Sequence, residues 1–284
     1  MANLDTMFHP AAGGSRAGAQ ATPRIRTITV DDLVDSLRRG WADFLAQPTH
    51  LIFVALIYPI IGVLLARLSA TYNILPLIFP LMAGFALLGP FAAIGLYEIS
   101  RRRERGLDAS AAQAFEVLRS PALGQIALLG LMLTGLFLAW LASAWLIYRG
   151  LLGLEPPVTT ERFVAALTTF DGWIMMIVGN AVGALFAIVA FTISVVSFPL
   201  MLDRHVDVGT AVRASVAAVE ANPRVMLVWG LMIAGLLALG SLPVLVGLVV
   251  VMPVLGHASW HVYRKLIAED ETQPARAEPV GGAL

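Results

Sequence analysis

The sequence has no cysteine and few charged residues, and each scarcity excludes a class of protein. Without cysteine, the 284-residue chain cannot form a disulfide, a thiolate zinc site or an iron–sulfur cluster. Charged residues make up 13% of the chain, whereas a soluble domain carries about 25%. Basic and acidic residues number nineteen each, so the basic excess of a nucleic-acid-binding protein is missing. This composition predicts an integral membrane protein whose partners are the lipid bilayer and other proteins, and we expect neither a nucleic-acid partner nor a cofactor.

The two ends of the chain lack helical patterning, whereas the segment after the N-terminal end has it. Residues 1–26 are rich in small residues and proline and have no apolar period, which predicts a disordered tail, and we expect a second tail at 267–284. Within 27–48, apolar residues recur at three- and four-residue steps after an N-cap pattern of Thr29 and Asp32. We expect an amphipathic helix there, which either lies on the membrane surface before the first span or docks a partner.

Charge-free stretches within 49–266 define the membrane spans. The predicted bounds are 51–66, 74–97, 122–148, 173–202, 225–239 and 242–263. The last two spans share one stretch, Val225 to Tyr263, that has no Asp, Glu, Lys or Arg. As a single helix it would be about 58 Å long at about 1.5 Å per residue, well beyond a hydrocarbon core of about 30 Å. The chain must therefore turn back at the breaker Gly240–Pro243, and the prediction is an all-α polytopic protein with six transmembrane helices.

The basic residues indicate how the six helices are oriented. With six spans, both termini and the loops after spans two and four lie on one side, and sixteen of the nineteen basic residues belong to them. The positive-inside rule then places both termini in the cytoplasm. Arginine is strongly preferred, with Lys265 the only lysine, and alanine and glycine are abundant. We interpret this usage as that of a bacterial chain, so the expected location is the inner membrane.

The two larger cytoplasmic loops, 106–121 and 205–223, resemble each other. In each, an Asp follows an aliphatic residue, alanine-rich sequence comes next, and a small polar residue with a proline precedes the following span. This pattern predicts two amphipathic cytoplasmic loop helices. It also allows an internal repeat of spans two–three and four–five, although any alanine-rich loop helix between spans would look similar.

Histidines provide the only candidate metal ligands. His257 and His261 are four residues apart in span six, so both imidazoles lie on one helix face, as in a helical metal site. His50 is expected at the same membrane depth. No acidic residue accompanies the pair in its own run, and we favour interfacial histidines that form hydrogen bonds over a metal or haem site.

Small residues and prolines mark two further features of the spans. Gly179 and Gly183 form a GxxxG pattern around Asn180 in span four, which is typical of close helix packing, with a polar pore or ligand contact as the alternative. Helix-kinking prolines interrupt spans two, four and six. They are Pro80, Pro90, Pro199 and Pro253. Such breaks are tolerated in ordinary spans, and they also form substrate sites in transporters.

Several runs carry a resemblance to a known family. They are GWADF at 40–44, FPLMAGFALLGP at 79–90, GLYEISRRR at 95–103 and WHVYRK at 260–265. With them the chain resembles, over about 27–266, an uncharacterised bacterial integral-membrane family filed as domain of unknown function 2189. The resemblance implies a membrane protein and transfers no catalytic residue.

Three functions stay open at this point. We favour a non-enzymatic accessory or assembly protein for another membrane complex, because the spans hold few polar groups. A transporter or channel for a small or amphipathic solute is the alternative that the matched prolines suggest. A metal- or haem-binding membrane protein that uses His257 and His261 is the third. The protein partner is another membrane protein or a second copy of the chain.

Overall fold

The structure is a computed structural model that describes most of the chain outside its two ends. The described residues are 23–46, 77–85, 89, 93–110, 117–153, 160–242 and 246–268. The predicted span 51–66 lies outside them, as do residues 1–22 and 269–284 of the predicted tails.

In this part of the chain every regular element is a helix, which confirms the all-α prediction. The helices are α1 (Val30–Ala46), α2 (Ile78–Phe85), α3 (Ile94–Glu104), α4 (Leu123–Leu152), α5 (Thr160–Leu167), α6 (Phe170–Ser194), α7 (Ser197–Arg204), α8 (Val208–Ala221), α9 (Pro223–Ser241) and α10 (Leu248–Leu266).

Three of these helical segments are long and apolar enough to cross a membrane. They are α4, the continuous stretch formed by α6 and α7, and α9. They coincide with the predicted spans three, four and five. The prediction of six spans is not confirmed. The predicted sixth span corresponds to α10, in which His257, His261, Arg264 and Lys265 follow the apolar first half.

Helix α1 begins where the sequence predicts, and its first turn is closed by side chains. The Asp32 carboxylate accepts hydrogen bonds of 2.8 Å from both the backbone N–H and the hydroxyl of Thr29. In return, Thr29 Oγ1 accepts from the Asp32 N–H at 3.3 Å. These bonds satisfy amide groups that have no partner inside the helix, and they confirm the predicted N-cap pattern.

Helix α1 packs along α10, and Gly40 sets how closely the two approach. A Cβ atom on Gly40 would lie 2.6 Å from the backbone nitrogen of Ala258 and 2.8 Å from the carbonyl oxygen of Val254. Only a residue without a side chain fits there. The buried face of α1 therefore belongs to the protein itself, while Trp41 and Leu45 remain exposed on its other side.

The segment before α1 is also attached to the body of the protein. Ile25 pairs with Ile267 in an isolated antiparallel bridge. The side chain of the buried Asn222 accepts a hydrogen bond from the Ile28 N–H at 2.8 Å and donates to the carbonyls of Arg26 and Ala218. The last residues of the expected N-terminal tail and the first of the C-terminal tail thus meet.

A side chain bridges the break between α6 and α7. The hydroxyl of Ser215, on α8, donates to the Thr192 carbonyl at 2.7 Å and accepts from the Val196 N–H at 3.2 Å. These two backbone groups would otherwise pair with each other in a continuous helix. Pro199 lacks the N–H that would pair with the Val195 carbonyl. The regular helix is therefore interrupted one turn before the proline. There Ser215 bonds both backbone groups of the missing helical hydrogen bond.

The second of the two predicted loop helices is present as α8. It begins at Asp207, whose carboxylate accepts from the Thr210 N–H at 3.0 Å. In the corresponding first loop, residues 117–119 form a short 3₁₀ turn, and 111–116 lie outside the described residues. The internal repeat is not confirmed.

Candidate functional site

The predicted histidine pair lies in a buried group of polar side chains, here called the Asp43 network. Its members come from three helices: Asp43 from α1, Ser100 and Arg103 from α3, and His257 and His261 from α10. The chain positions of these helices are far apart, and the close packing of α1 and α3 on α10 brings the side chains together. His257 and His261 share one face of α10, as their spacing predicts.

The carboxylate of Asp43 is the acceptor that joins the network. It accepts hydrogen bonds from the Ser100 hydroxyl at 2.6 Å and from His261 Nε2 at 2.9 Å. Arg103 Nε lies 3.0 Å from its second oxygen. Ser100 Oγ also lies within hydrogen-bond distance of His257 Nδ1, at 2.8 Å. Both oxygens of the Asp43 carboxylate thus have a hydrogen-bond or ion-pair partner.

Burial by itself would raise the pKa of Asp43, but the hydrogen bonds from His261 and Ser100 outweigh burial and lower the pKa below its ordinary value. Asp43 is therefore an anion at neutral pH. Its charge is balanced by Arg103, which makes the buried carboxylate tolerable.

The Asp43 network has histidine and carboxylate groups, so we examined whether it could hold a metal ion. Among the residues that the structure describes, no group of three His, Cys, Asp or Glu side chains has the arrangement of a metal site. The ring atoms that contact Ser100 and Asp43 are engaged in hydrogen bonds. His50, the third candidate ligand, lies outside the described residues.

Further ion pairs surround the network and hold the same helices together. Asp203 accepts from Tyr263 at 2.9 Å and from Arg105 at 2.8 Å, which links α7 to α10 and α3. Glu104 accepts from Arg264 at 2.9 Å. The sequence did not predict these pairs, because their acids lie far along the chain from α10. The i, i+4 spacing marked the correct face of α10, but its acidic partners lie more than 50 residues away.

The GxxxG pattern of α6 has two glycines in different surroundings. A Cβ atom on Gly183 would lie 2.9 Å from the Trp140 ring of α4, so this glycine serves packing inside the protein. A Cβ atom on Gly179 would meet nothing within 4 Å. Asn180, between them, is exposed, and its amide nitrogen donates back to the Met176 carbonyl of its own helix at 2.8 Å.

Asn180 lies on a surface of α6 that we call the Asn180 face. Its members are Ile177, Asn180, Ala181, Ala184 and Ile188, which follow one another at helical spacing and are all exposed. Asn180 is seven residues from the start of the predicted span at residue 173, about 10 Å along the axis at about 1.5 Å per residue. That position is inside a hydrocarbon core of about 30 Å.

The candidate kink prolines occupy three kinds of position. Pro80 is in the first turn of α2, where a missing N–H is tolerated. Pro199 follows the α6–α7 break, and α10 continues as a helix through Pro253. Pro90 lies outside the described residues.

The comparisons with known proteins agree with a membrane location. Residues 78–203 match the family described as "Predicted integral membrane protein (DUF2189)". This match confirms the expected resemblance over that part of the chain, which is shorter than the 27–266 anticipated from its runs. Curated proteins and solved structures give no match. The protein is thus an integral membrane protein that resembles this family over residues 78–203.

Proposed function

We propose that this protein is a non-enzymatic accessory or assembly protein that binds another membrane protein through the Asn180 face. The exposed Asn180 amide in the apolar surface of α6 is the observation that carries the proposal. In the described residues, its side-chain oxygen accepts no hydrogen bond. An amide with an unused acceptor at this depth is costly in lipid, and a neighbouring helix that donates to it removes that cost.

The residues beside Asn180 favour a helix as the occupant. Ala181 and Ala184 are small, and the space beside Gly179 is open, so a second backbone can approach closely. Ile177 and Ile188 are 66% and 57% exposed, respectively, and flank this small-residue centre with apolar surface. Close approach at the centre and apolar contact at both sides are typical of helix pairs within membranes.

We further propose that the protein crosses the bacterial inner membrane six times with both termini in the cytoplasm. The arginine distribution and the three candidate spans support this arrangement. Reporter fusions after Glu155 and after Asp108 should report opposite sides of the membrane. Fusions that report the same side would contradict the six-span arrangement.

The partner is tested by native mass spectrometry of the protein gently extracted from its own host. We expect a stoichiometric complex with a different membrane protein from wild type. Asn180→Leu should reduce the recovered complex at least about tenfold, the effect of losing about 1.4 kcal/mol of contact energy, within the range measured for model membrane helices. Ser143→Ala is the matched control, because Ser143 also lies on a candidate span and donates to its own helix, at Ala139.

Three outcomes would overturn the proposal. Complexes unchanged by Asn180→Leu would place the interface elsewhere. A homo-oligomer that Asn180→Leu dissociates would make a second copy, and no other protein, the occupant. Solute flux through the purified protein in proteoliposomes, abolished by Asn180→Leu, would favour the transporter alternative.

A further inference from the structure

A basic cavity opens where α3 ends, α4 begins and α7 ends. Its volume is about 240 Å³. The polar residues that line it are Glu98, Arg101, Arg102, Arg119, Ser120 and His205. It lies away from both the Asn180 face and the Asp43 network, and neither the proposed function nor the ion pairs around α10 account for it.

Part of the basic charge of this cavity is held in place by other groups. Arg101 forms an ion pair with Glu98 at 2.7 Å and donates to the Leu202 carbonyl at 3.4 Å. Arg102 lies 3.8 Å from the second Glu98 oxygen and donates to the Asp108 carbonyl at 2.6 Å. Since these contacts fix both guanidinium groups, an anion that enters the cavity meets donors that are already oriented.

Arg119 supplies a further positive charge. It is exposed, and in the described part of the chain no acidic side chain pairs with it. Among the described residues, three arginines and one carboxylate, Glu98, thus line the cavity. A basic lining of this kind favours an anion with more than one negative charge, and a phosphomonoester carries a charge of about −1.5 to −2 at neutral pH.

His205 adds a neutral or cationic donor at the rim of the cavity, in an unusual backbone conformation. It caps α7 with φ of 53° and ψ of 32°, and among the described residues it is the one non-glycine residue with a positive φ. Left-handed backbone is unfavourable for a residue with a side chain. Strained residues of this kind cluster at binding sites, where they position a side chain for a ligand.

We propose that this cavity binds the phosphate group of a phosphomonoester. Arginine forks match phosphate oxygens in pairs of hydrogen bonds, and the Ser120 hydroxyl offers a further donor. The volume is below the about 300–1,000 Å³ of a site for a larger ligand, so the cavity holds a single phosphate group. Two sources share this chemistry: a lipid headgroup, which basic pockets near predicted cytoplasmic span ends recognise, and free phosphate.

The experiment uses the full chain in phosphatidylcholine nanodiscs and has two arms. In the first, inorganic phosphate is titrated in by calorimetry. In the second, phosphatidate is added, and lipid retention after detergent transfer is measured by native mass spectrometry, with phosphatidylglycerol as a phosphodiester comparison. We expect one-to-one binding of phosphatidate in preference to phosphatidylglycerol, or one-to-one binding of inorganic phosphate.

Two arginine variants separate a built site from a generally basic surface. Arg119→Gln should weaken binding about tenfold or more, because a charge-assisted hydrogen bond contributes about 1.5–3 kcal/mol. Arg224→Gln removes the same charge from an exposed position outside the cavity, on the same predicted side, and should leave binding unchanged. His205→Asn keeps a residue that tolerates left-handed backbone, and we expect it to weaken binding less than Arg119→Gln does.

The two arms distinguish the sources of the phosphate. Phosphatidate retention without phosphate binding identifies a lipid headgroup site, whereas binding in both arms identifies a site for the phosphate group alone. The proposal is overturned if neither probe binds one-to-one. It is also overturned if Arg224→Gln weakens binding as much as Arg119→Gln, since the effect would then come from overall charge. Neither result depends on a protein partner for the Asn180 face.

Discussion

Around the Asp43 network, the side chains that face inward from α1, α3 and α10 are almost completely buried, whereas α4 and α9 leave most of their apolar surface uncovered. Leu33, Ile99 and Trp260 are at most 1% exposed. By contrast, only 28% of the apolar window of α4 and 17% of that of α9 are buried inside the protein. The helices around the Asp43 network thus bury side chains against one another, whereas α4 and α9 keep most of their apolar surface available for contact with lipid or other helices.

Two asparagines illustrate the difference. Asn222 is 5% exposed and joins the segment before α1 to α8 with both ends of its amide. Asn180 is exposed and bonds to its own helix. The same residue type therefore supports the fold in the packed region and offers a contact in the spans. Burial and hydrogen bonding of the substituted side chains therefore predict how each substitution changes the free energy of unfolding.

The largest effect is expected from Asp43→Ala. Removing the carboxylate leaves Arg103, Ser100 and His261 without their shared acceptor, and breaking a buried ion pair costs about 3–5 kcal/mol. The free energy of unfolding, measured by denaturant titration in micelles, should fall by this amount. Asp31→Ala, on the exposed side of the same helix, should cost less than about 1 kcal/mol. Equal losses would show that the network does not hold α1.

Gly40→Ala should lower the free energy of unfolding by up to about 3 kcal/mol, because the added methyl group meets backbone atoms of α10. Gly230→Ala, on the open surface of α9, is the matched change, since a Cβ atom there meets nothing within 4 Å. It should stabilise its helix by about 0.5–1 kcal/mol. We expect the two substitutions to change the free energy of unfolding in opposite directions in the same assay. A Gly40→Ala variant as stable as wild type would contradict the close approach of α1 and α10.

The asparagines provide a smaller and more direct test. Asn222→Ala should cost about 2 kcal/mol, because it leaves the buried N–H of Ile28 without a partner and removes the hydrogen bond to the Arg26 carbonyl. Asn180→Ala should change stability by less than about 1 kcal/mol. If unfolding of the purified protein is equally sensitive to both, Asn180 has a role inside the fold that its exposure does not indicate.

The smallest effect concerns pH. Backbone and side-chain hydrogen bonds from Thr29, together with Lys265, lower the pKa of Asp32 from 3.8 to about 2. Because the folded-state pKa is lower than the unfolded one, Asp32 stabilises the protein fully above about pH 4, and this contribution is lost as the pH falls toward 2. The stability difference between wild type and Asp32→Asn should therefore shrink between pH 5 and pH 3. A constant difference would exclude this linkage.

Several elements could be predicted from the sequence because their signals are local. The cap of α1 depends on residues three positions apart, Thr29 and Asp32. The apolar stretches of α4, α6 and α9 follow from composition over about 20 residues. The α8 cap at Asp207 is likewise local. Helix periodicity and capping act within a few residues, so sequence patterns report them.

The sites could be predicted only in part. The spacing of His257 and His261 identified the face of α10, and the GxxxG pattern identified α6. The partners Asp43 and Ser100, and the basic cavity between α3, α4 and α7, come from helices that are distant in sequence. No local pattern specifies which of the exposed polar residues of one helix will meet those of another.

The sequence by itself determined that this is a helical membrane protein, where its apolar helices lie and which residues carry its polar chemistry, because hydropathy and helix caps are properties of neighbouring residues. The tertiary structure decided how those residues are used. Packing at Gly40 brings Asp43 to the histidines, Ser215 bridges the break before Pro199, and packing of α6 on α4 places Gly183 against Trp140 while leaving Asn180 exposed. Side-chain contacts between distant helices depend on the distances between their backbones, and only the folded chain sets those distances.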